Sequence, residues 1–177
     1  MTLDGRHPSR LDLDERQRLL RRNPLFAELN SDEQICLAAE VEGLRFAAGE
    51  VVVREGDPGR SLYQVVEDSV EVLKTAAAAP PIRVAQLKPG DIFGEMSLLT
   101  DSARSGTVRA IEECVLLEVS QEDLRPILQH NPELMERMAS LVSRRRGELK
   151  GLEQETMKAS HNQLLTRMQQ LFSSVLG

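Results

Sequence analysis

The feature that most constrains the fold is a series of short aliphatic segments, separated by turn signals, in the middle of the chain. The segments are rich in Val, Leu and Ile, and they lie at residues 44–46, 51–53, 61–66, 69–74, 82–87, 105–109 and 115–119. Glycine and proline separate them at residues 47–49, 56–59, 80–81 and 89–90. Many short strands at such close spacing predict a β-sandwich or barrel. The low-complexity tract at residues 76–81 is interpreted as a loose hairpin loop.

Two helices are predicted ahead of the strands. The first covers residues 12–22 and ends at Asn23-Pro24, because the residue before a proline avoids the helical region. The second begins near Ser31, where Ser31 and Gln34 match the S-x-x-Q pattern of a capping box. The chain therefore opens with a helical segment before it enters the β region.

Helices are predicted again after the strands. Ser120 and Asp123 match a capping box, and Pro126 should kink or shorten the helix that follows. Residues 131–133, Asn-Pro-Glu, supply an N-cap, a proline at the first helical position and an early acid, so a long helix should run from there through Arg146. A final helix at residues 161–176 would place on one face Leu164, Leu165, Met168, Leu171, Phe172 and Val175.

Composition excludes several classes of protein. The formal net charge of -6 argues against nucleic acid as the main partner, because phosphate backbones require a basic surface. No run of about 18 apolar residues and no apolar signal core occurs, which predicts a cytoplasmic chain. The two cysteines, Cys36 and Cys114, lack C-x-x-C spacing and are predicted to be buried reduced thiols. The histidines are scattered, so no metal site is predicted. Without a nucleophile–base constellation, the chain is expected not to be an enzyme.

The candidate binding residues lie within residues 90–110. Gly94 follows a predicted strand that ends at Phe93, and a glycine at a strand-to-helix turn lets backbone approach a ligand closely. The N–H groups of the following turn suit an anion, and Arg104 can return to the same place to complete a phosphate site. The Glu95 carboxylate cannot favour phosphate, so it is interpreted as the acceptor for a hydroxyl such as a ribose 2′-OH. A phosphate clamp beside a hydroxyl acceptor predicts a nucleotide site.

The same stretch resembles the phosphate-binding cassette of the cyclic-nucleotide-binding domain family, which includes catabolite activator protein, kinase regulatory subunits and cyclic-nucleotide-gated channels. The family pattern, F-G-E-hydrophobic-small-L and then R-small-small-T-V, is met at residues 93–98 and 104–108. The family's early-barrel turns are matched at residues 49–50, 55–59 and 62–63. The resemblance covers the chain from about Leu25 to Leu141.

The resemblance implies an α+β, mainly β, fold. An eight-stranded β-barrel or jelly roll is expected, with N-terminal helices, a short phosphate-binding-cassette helix and C-terminal helices. The expected division is an N-terminal helical segment (1–43), a β-barrel (44–120) containing the cassette (93–106), C-terminal lid or output helices (121–150), and an amphipathic helix or tail (151–177).

The resemblance also implies a ligand and the residues that hold it. The ligand would be cAMP or cGMP, bound without a metal. Glu95 would accept from the ribose 2′-OH, Arg104 would pair with the cyclic phosphate, and backbone amides of the cassette would complete the phosphate cage. The predicted ligand-binding residues are Gly94, Glu95, Met96, Ser97, Arg104 and Ser105. One departure is Asp68-Ser69, where many members have glycine, and Asp tolerates the left-handed conformation that a tight turn needs.

Structural interpretations stand beside these functional ones. Arg104 and Glu95 could form a plain ion pair in a barrel that no longer binds ligand. The run Arg144–Arg146 is interpreted as a solvated helix face, with the alternative that one arginine covers the purine. Residues 56–59 are interpreted as a hairpin turn rather than a binding loop. The Met and Leu stripes of the last helices predict internal packing or homo-oligomer contacts.

The output is predicted from a second, weaker resemblance, to the C-terminal sensor of bacterial mechanosensitive-type channels. Its features lie at residues 20–26, 93–100, 123–126, 144–149 and 164–172. This resemblance implies the cytosolic sensor of a membrane channel, with the channel or another effector as partner. Two alternatives remain: a free-standing cytosolic sensor that acts on a partner protein, and a structural oligomerisation module with a non-binding pocket. The sequence does not rank cAMP against cGMP.

Overall fold

The structure is a computed structural model that describes residues 6–150 and 154–173. The N-terminal part contains β1 (His7–Pro8), α1 (Leu13–Arg22) and α2 (Ser31–Glu40). The β region contains β2 (Glu42–Phe46), β3 (Val51–Val53), β4 (Ser61–Glu67), β5 (Val70–Ala76), β6 (Ala79–Leu87) and β7 (Ile92–Phe93). The remainder contains α3 (Glu95–Thr100), β8 (Thr107–Ala110), β9 (Cys114–Ser120), α4 (Gln121–His130), α5 (Pro132–Lys150) and α6 (Gln154–Ser173).

The strands form two antiparallel sheets flanked by helices, which confirms the predicted α+β jelly-roll fold. One sheet has the order β1-β2-β9-β4-β7 and the other β3-β8-β5-β6. The sheets face each other without closing into a barrel. Each predicted strand segment overlaps an observed strand, and β1 adds a two-residue strand that the sequence did not predict, pairing His7 with Arg45 of β2.

Alternation along the strands builds two cores. Tyr63 and Val65 of β4 point between the sheets and pack in a cluster with Leu44 and Val70. Leu62 of β4 points to the other face, where the helices cover the five-stranded sheet in a larger aliphatic cluster. Because successive side chains of a strand point to opposite faces, one strand can serve both cores. The site described below lies beside the four-stranded sheet, whose residues Val53, Val72 and Val108 line it.

The caps are confirmed at α4 and α5 and shifted at α2. Ser120 and Asp123 form the predicted capping box, and Asn131 Oδ1 accepts from Leu134 N at 3.0 Å. At α2 the box is Asn30 with Glu33, so the prediction on Ser31 and Gln34 was wrong by one residue. Gln34 is not available for capping, since its buried amide donates to the Phe26 carbonyl.

One segment differs from its prediction because its surroundings override the local signals. The tract at 76–81 is a tight turn rather than a loose loop: Ala76 pairs with Ala79, and Ala78 has φ 58°. Pro80 and Pro81 lie in β6, an edge strand, where a missing N–H is tolerated. The left-handed conformation expected at Asp68 is confirmed, with φ 59°.

The C-terminal helices are longer than predicted and pack on each other. α5 continues past Gly147 to Lys150, and α6 begins at Gln154 rather than at residue 161. Leu164, Met168 and Phe172 of α6 are buried in the helix-side core. Of the two interpretations of this stripe, internal packing and homo-oligomer contacts, the structure shows internal packing for these three residues. The predicted Val175 and the weak point at Gly151 lie outside the described residues.

The end of α6 is attached to α4. The Arg125 guanidinium lies over the Phe172 ring at 5.9 Å from its centroid, and Arg125 Nη1 donates to the Leu171 carbonyl at 3.4 Å. Gln129 Nε2 donates to the Phe172 carbonyl at 3.3 Å. α6 also contacts α3 and α5, so it links the short cassette helix to both other C-terminal helices.

The two cysteines differ in environment. Cys114 is buried, as predicted, and burial raises the pKa of its thiol to about 11. Cys36 is exposed on α2, so the expectation of a buried thiol was wrong there. Across residues 6–150 and 154–173, no group of His, Cys, Asp and Glu could hold a metal ion. None of the helices in the same residues has the length and apolar character needed to cross a membrane.

Candidate functional site

A cavity of about 550 Å³ lies between the four-stranded sheet and the segment from β7 to β8. Val53, Val72 and Val108 form its apolar floor, and Phe93 lies at its side. The structure brings all six predicted binding residues to this cavity: it is lined by Gly94, Glu95, Met96, Ser97, Arg104 and Ser105. Apolar floor and polar rim together suit a ligand with a flat ring system and a charged end.

Gly94 is the N-cap of α3 and has the left-handed conformation, φ 82° and ψ 9°. A Cβ at this position would lie 2.6 Å from Arg104 Nη1 and 2.8 Å from the Ser61 carbonyl oxygen. Both the conformation and the lack of space therefore require glycine. Because glycine has no side chain to cap the helix, the first N–H groups of α3 receive no side-chain cap in the described chain and remain available to a ligand.

Arg104 is the most buried charged residue of the site, with 7% of its surface exposed. Its Nη1 donates to the Ser61 carbonyl at 2.7 Å, and its Cζ lies 5.7 Å from the centroid of the Tyr63 ring. Tyr63 stacks in turn on Phe93, with 5.1 Å between ring centroids. Burial lowers the pKa of Arg104, yet a guanidinium stays charged in proteins.

Arg104 forms no ion pair with an acidic side chain among the residues that the structure describes. The charge of Glu118 acts on it only at longer range, where it offsets part of the effect of burial on the pKa of the guanidinium. The ion pair between Arg104 and Glu95, the structural alternative considered from the sequence, does not form. A buried cation whose contacts are a carbonyl, a hydroxyl and a ring face is incompletely compensated. An anion in the cavity would supply the missing charge.

Glu95 begins α3 and lines the same cavity. Within the described residues, its half-buried carboxylate makes no hydrogen bond or ion pair with protein, so its acceptor oxygens are available. A carboxylate accepts hydrogen bonds and donates none. The cavity therefore presents both an available carboxylate acceptor and a buried guanidinium.

The turn at residues 56–59 holds Arg104 from the other side. Gly56 N donates to the Arg104 carbonyl at 2.8 Å, and Arg104 N donates to the Asp57 carbonyl at 2.8 Å. A Cβ on Gly59 would lie 2.3 Å from Arg104 Nε. The interpretation of 56–59 as a hairpin turn missed this contact, because only the folded chain brings the turn against the arginine.

Three cationic residues at the cavity were not predicted as binding residues: Lys74 of β5, Arg146 of α5 and Arg167 of α6. Arg146 comes from the run interpreted as a solvated face. It is exposed but faces the cavity, with Nη1 3.5 Å from Met96 Sδ. Arg144 lines a different groove, and the side chain of Arg145 lies outside the description. Arg167 carries no sequence signal, because it reaches the cavity only where α6 packs back along α5.

Fold, cassette and cavity define a class of protein. The chain belongs to the cyclic nucleotide-binding domain family, whose model matches residues 44–131. It is 31% identical over 123 residues to a cyclic AMP receptor protein of Thermus thermophilus, covering 70% of this chain and 57% of that protein. It is 33% identical over 124 residues to a cyclic nucleotide-gated potassium channel of Mesorhizobium japonicum, covering 70% of this chain and 33% of the channel.

Solved structures agree with this assignment. The N-terminal domain of a transcriptional regulator from Streptomyces coelicolor A3(2) superposes with a TM-score of 0.64 and 34% identity, covering 75% of this chain and 93% of that one. A cAMP-bound PfPKA-R superposes with a TM-score of 0.66 and 25% identity, covering 87% of this chain and 56% of that one. This chain spans 57% or less of the length of the curated relatives described above.

Proposed function

We propose that this chain is a regulatory module that binds one cyclic nucleotide, cAMP or cGMP, in the cavity and does not turn it over. The observation that carries the proposal is the buried Arg104, which forms no ion pair in the described chain, in the same cavity as an unpartnered Glu95. Arg104 binds the cyclic phosphate and Glu95 accepts from the ribose 2′-OH. The backbone amides of Gly94, Ser97 and Ser105 close around the phosphate, and the ring system lies on the valine floor.

Titration calorimetry with cAMP, cGMP and the open-chain 5′-AMP tests the proposal. We expect saturable binding of at least one cyclic nucleotide with one site per chain. 5′-AMP should bind more weakly, because its phosphate sits on a freely rotating arm and is not held in a ring with the ribose, so ordering it in the site costs more entropy. If neither cyclic nucleotide at millimolar concentration gives heat or raises the melting temperature, the pocket is a non-binding one and the proposal is wrong.

Glu95→Ala tests the role of the carboxylate, because it removes the acceptor altogether. The variant should weaken binding by about 1.5–3 kcal/mol, the usual value of a hydrogen bond to a charged group. The 2′-deoxy form of the same cyclic nucleotide provides the matched control, because it lacks the hydroxyl. It should bind the wild-type protein as weakly as the variant binds the parent ligand, and the variant should not discriminate between the two. Losses that simply add would show that Glu95 contacts something else.

The route of the signal is proposed to be α5 and α6 together. Arg146 and Arg167 bring one side chain from each helix to the cavity, and α6 contacts the cassette helix α3. A ligand shifts a conformational equilibrium only by its different affinity for the two states. These helices must therefore close better over an occupied cavity than over an empty one.

Amide hydrogen exchange with and without ligand measures this coupling. Protection should increase in residues 94–106, in residues 132–150 and in residues 154–173. In Arg167→Ala, the cassette should keep its gain in protection while α6 loses part of its own. A wild-type result in which only the cassette gains protection would mean that the domain binds ligand but signals by another route, such as the N-terminal helices.

We propose that this chain is the cytosolic sensor of a bacterial ion channel. The support is similarity to two bacterial channels, the one from Mesorhizobium japonicum and a putative potassium channel protein of Rhodopseudomonas palustris that is 29% identical over 135 residues. A free-standing sensor acting on a partner protein is favoured instead by the similarity to the receptor protein of Thermus thermophilus. Ion flux from liposomes carrying the full-length gene product should change with ligand if the channel proposal is right.

A further inference from the structure

An acidic side chain lies in the middle of a buried strand, outside the cavity. Glu118 belongs to β9, whose residues from Cys114 to Val119 are otherwise buried and apolar. Its side chain is only 13% exposed. A carboxylate in this position loses hydration and is tolerated only where partners compensate it. Sheet packing alone does not explain an acid at this position, so the explanation must lie in the groups that contact its carboxylate.

Glu118 receives hydrogen bonds from two residues of the neighbouring strand and one near the N-terminus. The Ser61 hydroxyl donates to Glu118 Oε1 at 3.0 Å, and the Tyr63 hydroxyl donates to the same oxygen at 2.8 Å. Arg6 Nη1 lies 3.2 Å from Oε2. Burial, together with Glu118, raises the pKa of Tyr63 to about 12, so the phenol keeps the proton that it donates.

Ser61 and Tyr63 are also contacts of Arg104. Ser61 provides the carbonyl at 2.7 Å from Nη1, and its hydroxyl oxygen lies 3.5 Å from Nη2. Tyr63 provides the ring beneath the guanidinium. The single proton of the Ser61 hydroxyl points to Glu118, which leaves the hydroxyl's lone pairs for Arg104. The same carboxylate therefore fixes both side chains that support the arginine.

We infer that Glu118 is a positioning residue for the ligand site, holding Arg104 in place through Ser61 and Tyr63. This inference rests on the proposed function for its effect on ligand, but the geometry of Arg104 can be tested without ligand. Glu118 itself does not line the cavity. Its effect on binding must pass through the arginine, which separates it from Glu95.

Glu118→Gln is the test, because the amide keeps the shape and removes the charge. Affinity for the cyclic nucleotide should fall about tenfold, the weight of one charge-assisted hydrogen bond. The matched control is Glu113→Gln, which changes an exposed acid in the turn just before β9, paired with Arg45 at 2.7 Å, and should leave affinity unchanged. Thermal melting of both variants reports any loss of folding.

A double-mutant cycle separates positioning from general destabilisation. Ser61→Ala should also weaken binding, and the Glu118→Gln/Ser61→Ala double variant should be no weaker than the worse single variant, because both act through Arg104. A wild-type affinity in Glu118→Gln, or losses that add fully, would overturn the inference.

A readout without ligand keeps the two proposals distinguishable. The Arg104 Nε–H signal in a ¹⁵N spectrum is assigned by its disappearance in Arg104→Lys. It should shift or broaden in Glu118→Gln and remain unchanged in Glu113→Gln. If the wild-type protein binds no cyclic nucleotide while this signal still responds to Glu118→Gln, the proposed function is wrong and the positioning contact stands. An unresponsive signal overturns the positioning contact.

Discussion

Replacing Arg104 with alanine should almost abolish cyclic nucleotide binding. The substitution removes one partner of a charge pair formed in a buried site, which costs about 2–5 kcal/mol, or roughly 30- to 5,000-fold in affinity. This exceeds the loss expected for Glu95→Ala, because the arginine is nearly fully buried and meets the charged end of the ligand. Titration calorimetry with the ligand that the wild-type protein binds gives the comparison directly.

Two further variants make the Arg104 result interpretable. Arg104→Lys keeps the charge but loses the planar fork that reaches Ser61 and the ligand together, so its affinity should lie between wild type and alanine. Arg45→Ala removes an equal charge from an exposed ion pair and should bind like wild type. Melting curves show whether Arg104→Ala is folded. A folded alanine variant with wild-type affinity would place the phosphate elsewhere.

Replacing Gly94 with alanine should damage both stability and binding. The left-handed conformation at φ 82° costs a non-glycine residue about 1–2 kcal/mol. The new Cβ also meets the Ser61 carbonyl at 2.8 Å and Arg104 Nη1 at 2.6 Å, and such overpacking costs a further 1–3 kcal/mol. The two costs together come to about 2–5 kcal/mol. Since about 1 kcal/mol shifts the melting temperature of a chain this size by roughly 2–4 °C, a fall of about 4–20 °C is expected.

Gly90 provides the matched control for Gly94. It has a similar positive φ of 97°, but a Cβ there would meet nothing within 4 Å. Gly90→Ala should therefore show the conformational cost alone, with ligand affinity preserved. Gly94→Ala should lose affinity as well, because its Cβ displaces the guanidinium. Equal melting temperatures in the two variants, with unchanged affinity in both, would show that the close approach at Gly94 has no role.

The cassette could be predicted from sequence because its chemistry is local. Gly94, Glu95 and Arg104 lie within eleven residues, and the strand, turn and loop between them leave few ways to arrange the three. The positive φ at Asp68 followed from the same kind of local conformational argument. The seven-residue strands are rich in Val and Leu and gave a clear signal, whereas the two residues of β1 are too few to show any pattern.

The remaining features depend on contacts between distant segments. An asparagine and a serine are both good N-caps, so the sequence alone does not choose between Asn30 and Ser31. In the fold the Gln34 amide is occupied by the Phe26 carbonyl, and Asn30 with Glu33 forms the cap of α2. The apolar stripe of α6 was visible in the sequence, but a stripe does not say whether it packs in its own chain or on a partner. The neighbours of Arg167 and of Glu118 come from segments that are distant in the sequence, so the sequence did not single out either residue.

The prolines of β6 affect how molecules of this protein behave at high concentration. β6 is the outer strand of its sheet, and its Ile82 and Val84 are 57% and 55% exposed. An apolar outer strand can recruit a strand from a second molecule and begin aggregation. Pro80 and Pro81 have no N–H to offer an incoming strand, so they interrupt the hydrogen-bond ladder at the start of β6. The β5–β6 hairpin, which borders the ligand site through β5, thus also limits the pairing of its outer strand with a strand of a second molecule.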